Sequence, residues 1–435
     1  MSPQDCISSL LSVPDAALRR RAAEELMEAG SVSEDAISAF AKGLTDPDKG
    51  VRDICALALA RIGNSQTHTH FVAEAVVPLI THESLEVRNL AGDILIKLGP
   101  GAADALYPYL RDPISDNRKF ACDIIGLSNN PSAIPYVRAI LTDTDSNVRC
   151  AAIEALGFLK ASELLGDIIA MYDDETVRPY VVAAAGSIGG KHAQDFLLKV
   201  MDESDDEFIQ IAAIDALAVC ADDIGIAHKL LQLLPSASPD VQVVLLRTVY
   251  SIAFRLKISI DLPHGLRSVA QQALMDDDPD TRISGLLALG KLYEEEDIPA
   301  LLHEMHYNNP ETQQHILSIV LNHSSPAVVR EFFEQVFTSL PETHIVQVPE
   351  LLGFLTSIIP TAATDNAAIA LQTISRYYQS AIPDHRREII EFLLAVDRHE
   401  VVRLLSDEIT SGQQHRVEDA IQFAEFYNIR EIVLP

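Results

Sequence analysis

The chain runs to 435 residues, two to three times the usual size of one globular domain, so it holds either several domains or one extended array. Apolar residues make up 48% and charged residues 22%, enough to bury a core and outside the range of disordered or collagen-like sequences. Its 63 acidic against 33 basic residues give a formal charge of −30, which argues against nucleic acid as a partner, because that binding needs cations that displace phosphate counterions.

Trp is absent and aromatic residues are 6%, which favours small-residue helix packing over a β-sandwich or barrel. The amino end carries Asp5 and no basic run ahead of Leu10, so no secretory signal is expected. The most apolar stretch, 241–260, is interrupted by Arg247, Arg255 and Lys257 and is too polar to span a bilayer. Cys6, Cys55, Cys122, Cys150 and Cys220 stand at least 28 residues apart, which speaks for buried thiols and against a zinc cluster or disulfide framework. These features read as a soluble, cytoplasmic protein with no membrane contact.

Along the chain, one block keeps returning. From Asp46 an acidic turn leads into Val51, Arg52, Cys55, Leu59 and Ile62, and Gly63 closes the block. The arginine register recurs at Arg19, Arg88, Arg118, Arg149, Arg178 and Arg282, with Gln210, Gln242 and Gln313 in place of arginine. Successive steps are 33, 36, 30, 31, 29, 32, 32, 40 and 31 residues, which excludes a string of unrelated domains.

Val51, Cys55, Leu59 and Ile62 form one stripe of an α-helix, so each unit holds an amphipathic second helix. Turn acids such as Asp143 and Asp276 suit its start, and Gly63, Gly99 and Gly189 suit a left-handed end. A first helix precedes each turn, often with proline near its start, as at Pro135 and Pro299. Such a hairpin cannot cover its own apolar face, so neighbours must stack. The expected fold is all-α: a right-handed α-solenoid of stacked antiparallel helical hairpins, regular over 1–324.

This pattern resembles the HEAT-repeat family, most closely the short bacterial repeats of the phycobilin-lyase type. In that family the arginine early in the second helix pairs with an acid of the inter-helix turn and forms a ladder between repeats. The resemblance thus implies Arg19, Arg52, Arg88, Arg118, Arg149, Arg178 and Arg282 as ladder residues. The glutamines at 210, 242 and 313 depart from it.

The 40-residue step contains an insertion, 255–265, expected to form a longer loop or a helix extension. Beyond Ser324 the signature fades, but 329–338, 348–359, 366–380, 386–396, 400–409 and 416–427 still read as helices. Residues 325–435 are therefore expected to be degenerate repeats continuous with the array, with an extended tail at 430–435; a separate domain is the alternative.

Candidate chemistry is sparse. Histidine–glutamate pairs at His82, His303 and His399 suggest the di-iron HEAT enzyme deoxyhypusine hydroxylase, but the positions that family uses hold Asp53, Asn89 and Lys119 here. His303 and His306 lack the spacing of a metalloprotease helix, and no third ligand is evident. Acidic runs at 202–207, 276–278 and 294–297 lack the order of a calcium loop; they suit helix capping and predict a negative ridge along the turns. No phosphate loop or nucleophile elbow is present.

The chain therefore reads as a non-enzymatic interaction scaffold or adaptor, with no catalytic residue, metal or cofactor. Family analogy places such scaffolds in bacterial signalling of the chemotaxis type or in assembly. A protein or peptide partner, basic in character, is expected on the face of the second helices, with Arg20, Arg21, Asp53, Asn89, Lys119 and Arg247 as candidate contacts. The alternative is a bilin lyase-like chromophore-handling protein.

Overall fold

The periodic stripes become helices in the computed structural model, which describes residues 2–30, 33–65, 67–258, 260–305, 310–343, 348–411 and 414–432. No strand occurs among the described residues. The helices divide into two compact units, Met1–Asp222 and Asp223–Pro435.

Several second helices start where the turn supplies an acceptor. Asp15, Asp48, Asp145, Asp206 and Asp278 cap five of these helices by accepting backbone N–H groups of the first turn, each a stabilisation of about 1 kcal/mol. Two residues earlier, Asp46, Asp143 and Asp276 accept the N–H of the capping residue itself. Both acids of the turn are thus in structural use.

In the first unit, the second helices Ala16–Glu28, Lys49–Gly63, Leu85–Leu98, Ser115–Leu127, Ser146–Phe158, Arg178–Ile188 and Glu207–Cys220 pack each on the next as one layer. The first helices form the other layer, beginning with Pro3–Ser12 and Glu34–Gly43. Further along, this layer breaks into short α and 3-10 turns at Pro78 and Pro108, since proline removes a donor and crowds the preceding turn. Between the layers, Phe40, Leu59, Ile80, Leu95 and Leu106 are fully buried.

The second unit opens with the hairpins Ile224–Leu233 with Pro239–Leu256, Arg267–Leu274 with Pro279–Leu289, and Ile298–Met305 with Pro310–His323. Stacking runs on past residue 324: Pro310–His323 packs on Val348–Ile358, which packs on Pro383–Val396, and Arg398–Thr410 pairs with Gln414–Phe426. The expected carboxyl-terminal helices are all present and begin three residues early where Pro326 or Pro383 occupies the first turn.

Two local expectations change. Gly99 and Gly189 are left-handed, with φ of 59° and 75°, but Gly63 lies inside its helix, and a Cβ there would strike the Leu98 side chain. Gly63 therefore serves close packing between repeats. The expected extended tail is a turn at 430–432, held by Arg398 on Glu431 at 3.0 Å; the rest of that tail, 433–435, lies outside the described residues.

Candidate functional site

The register position marked by arginine makes two different bonds. One closes its own hairpin: Arg19, Arg52, Arg118, Arg149, Arg178 and Arg282 each donate to the carbonyl six residues earlier, at the start of the turn. The other reaches the next repeat. Arg19 makes a bidentate pair with Asp46 at 2.7 and 2.8 Å, Arg118 does the same with Asp143, and Arg149 meets Asp174 at 2.8 Å.

Elsewhere the partner differs from the turn acid that the resemblance implied. Arg52 donates to Glu86 in the first turn of the next second helix, and Arg282 to Glu304 in the next first helix at 3.1 Å. Arg88 lies over the Phe120 ring and Arg178 over the Tyr172 ring, and among the described residues neither forms an ion pair. At the glutamine positions, Gln210 donates to the carbonyl six residues earlier, Ser204, and Gln242 and Gln313 to the carbonyls eight residues earlier, Leu234 and Met305.

These bonds pull Asp46 and Asp143 down from the ordinary carboxylate range, chiefly through Arg19 and Arg118, and leave their side chains 8% and 10% exposed. Asp46 and Asp143 are therefore taken up by cations and backbone donors, whereas Asp205, Asp277 and Glu294, in the acidic runs, stay exposed.

The candidate contacts separate into three kinds. Arg20, Arg21 and Lys119 are exposed and each pairs with an acid one helical turn on, Glu24, Glu25 and Asp123; such exposed pairs contribute little and can exchange for a partner's charges. Asp53 and Asn89 are exposed and lie at the register of Arg20 and Lys119 on their own helices. Arg247 is half-buried instead of projecting. It donates to Asp278 of the next repeat at 3.2 Å, supplying the inter-repeat link that Gln242 cannot make.

Two further rows on the second helices of the first unit come to light. Five residues past the register position stand Glu24, Leu57, Asp93, Asp123, Glu154, Ala183 and Asp215, and nine residues past it stand Glu28, Arg61, Lys97, Leu127, Phe158, Ser187 and Val219. Positions four apart are neighbours on a helix, so a mainly acidic row runs beside one that turns from charged to mainly apolar. Leu57, Leu127 and Phe158 are exposed although large and apolar, and Val219 is 63% exposed. Asp93 and Glu154 are not ion-paired among the described residues. The signal was present in the sequence as apolar residues at positions where a one-faced helix should already be polar.

The second unit holds a groove of about 530 Å3 at the insertion. Its walls are the helices Pro239–Leu256 and Pro310–His323, of 18 and 14 residues, and between them Pro279–Leu289 is only 11 residues long. The short middle helix leaves a gap, which the insertion borders with Ile258, Ile260 and Leu262. Tyr250 Oη donates to the Ile260 carbonyl at 3.3 Å and fixes that border in place.

The histidine–glutamate pairs do not converge. His82 Nδ1 accepts the Ser84 N–H, Glu304 beside His303 is buried on Arg282, and Glu400 beside His399 pairs with Arg403. His306 lies outside the described residues. Among those described, no group of three or more His, Cys, Asp or Glu is placed to hold a metal, and no helix is long and apolar enough to cross a membrane. Burial pushes the Cys55 and Cys122 thiols up to about 12.

Residues 4–93 and 103–175 match the family model of HEAT repeats. No curated protein sequence matches the chain. Among solved structures, importin β crystallised in a polyethylene glycol condition aligns with a TM-score of 0.53 at 14% identity, covering 98% of this chain and 68% of that one. The complex of CpcE and CpcF of phycocyanin lyase from Nostoc sp. PCC7120 aligns over 58% of this chain and 95% of that one, at 21% identity and a TM-score of 0.26. At these identities the importin β likeness speaks for the fold alone. Residues 4–93 and 103–175 thus belong to the HEAT-repeat family, and the fold of the chain is an all-α solenoid of stacked helical hairpins.

Proposed function

We propose that the protein is a non-enzymatic interaction scaffold that holds a basic, amphipathic protein segment on the second-helix face of its first unit. The observation that supports this reading is the pair of rows just described. Leu127 and Phe158, large apolar side chains on neighbouring second helices, are left exposed, as is Leu57 two helices away, and exposed apolar surface marks interaction sites. The carboxylates of Asp93 and Glu154 in the neighbouring row favour cations on the partner. The ladder beneath keeps this face in register, so a long segment meets a preformed surface and loses little binding energy to ordering it.

The test is binding of the captured partner, and of a synthetic Lys/Leu amphipathic peptide, to the wild type and two double variants. Leu127→Ala with Phe158→Ala should weaken both by about tenfold or more, from loss of buried apolar area. Asp93→Lys with Glu154→Lys should weaken them by a similar factor at low salt and less at high salt. Wild-type affinity from both double variants would refute the assignment of this face.

A further inference from the structure

The groove in the second unit differs from that face in chemistry. Phe254 is 60% exposed on its wall, opposite Ile319, and Leu287 and Leu292 form the floor. The volume lies within the range of small-molecule sites, which are largely apolar with a few placed polar groups. The polar groups are unevenly placed. Lys257 closes one wall and His323 the other, both at the carboxyl ends of their helices. The partial negative charge of those helix ends is offset by the side chains that stand there. In a chain of charge −30, Asp261 on the insertion is the one carboxylate among the described lining residues of this groove.

We propose that this groove binds a small amphipathic monocarboxylate, with its apolar body over Phe254, Leu287 and Ile319 and its carboxylate at Lys257 and His323. The apolar body gains by leaving water, which any hydrophobe would share. The charged end distinguishes the ligand class, because a carboxylate receives charge-assisted hydrogen bonds from an ammonium and an imidazole that an alcohol of the same length cannot match. The 40-residue step in the repeat then has a purpose: it builds the border of a pocket where the middle helix stops short.

The test uses the full chain, with the fluorescent sulfonate 1-anilinonaphthalene-8-sulfonate as the probe and dodecanoate or dodecanol as competitors. Dodecanoate should displace the probe at about tenfold lower concentration than dodecanol, the ratio expected for one charge-assisted bond. Lys257→Glu should erase that preference while leaving dodecanol unchanged. Phe254→Asp should weaken both competitors, and since both substituted side chains are exposed, the thermal transition should stay in place as a check on folding. Equal displacement by acid and alcohol in the wild type would overturn the proposal, as would probe binding that is not saturable or that survives Phe254→Asp.

Discussion

Replacing Arg118 by Met keeps the aliphatic stem and removes every polar bond it makes. The wild-type guanidinium meets Asp143 at 2.7 and 2.8 Å and donates to the Asp112 carbonyl at 2.9 Å. Breaking a fully buried pair costs about 3–5 kcal/mol. Here the two side chains keep 13% and 10% of their exposure, so water at the rim of the turn trims the loss to about 2–3 kcal/mol.

In an array, unfolding is local, and the proper assay is hydrogen exchange of the helices Ser115–Leu127 and Ser146–Phe158. Protection there should fall roughly 30- to 150-fold, with no change at Ala16–Glu28. The pH dependence has a defined sign. Arg118 holds the Asp143 carboxyl below its ordinary value in the folded chain, so the pair stabilises the fold above the unfolded carboxylate pKa. That stabilisation is lost as pH falls from about 5 through the depressed value. The variant should lack this loss. Asp143→Asn in the Arg118→Met background should cost less than in the wild type. Unchanged protection in Arg118→Met, or strictly additive losses, would refute the view that this pair joins the two repeats.

Two further outcomes follow from packing. Gly126→Ala would place a Cβ 2.7 Å from the Ala155 Cα, so it should force neighbouring second helices apart and cost about 1–3 kcal/mol in thermal melts. Gly166→Ala, where nothing lies within 4 Å, should be neutral or mildly stabilising. Iodoacetamide at pH 8 should leave Cys55 and Cys122 unlabelled in the native chain, because burial holds their thiols protonated. Rapid native labelling at either, read by mass spectrometry, would contradict their burial.

The repeat was legible because its parts are local. Val51, Cys55 and Leu59 lie on one stripe, and the turn acids lie within a few residues of the helices they cap. The arginine register was legible too, but its partners were less so. Arg52 and Arg282 find Glu86 and Glu304 because those carboxylates come within reach in space, which spacing alone does not reveal. Arg247 looked like a surface contact because Gln242 held the expected position; the link had moved five residues along the same helix. The groove could not be read at all, since it depends on the relative lengths of three helices 30 to 40 residues apart.

The bond from most register arginines to the carbonyl six residues behind them has a bearing on how such a chain grows. Because the brace lies wholly inside one hairpin, a duplicated block arrives with its turn already closed, and a compatible acid on its neighbour adds a link to the apolar packing that stacks it. Losing that acid, or exchanging arginine for glutamine as at 210, 242 and 313, loosens a joint without unmaking a unit. Inheritance by copying can thus proceed one hairpin at a time, and individual hairpins can lengthen, shorten or acquire a loop while their neighbours stay in register.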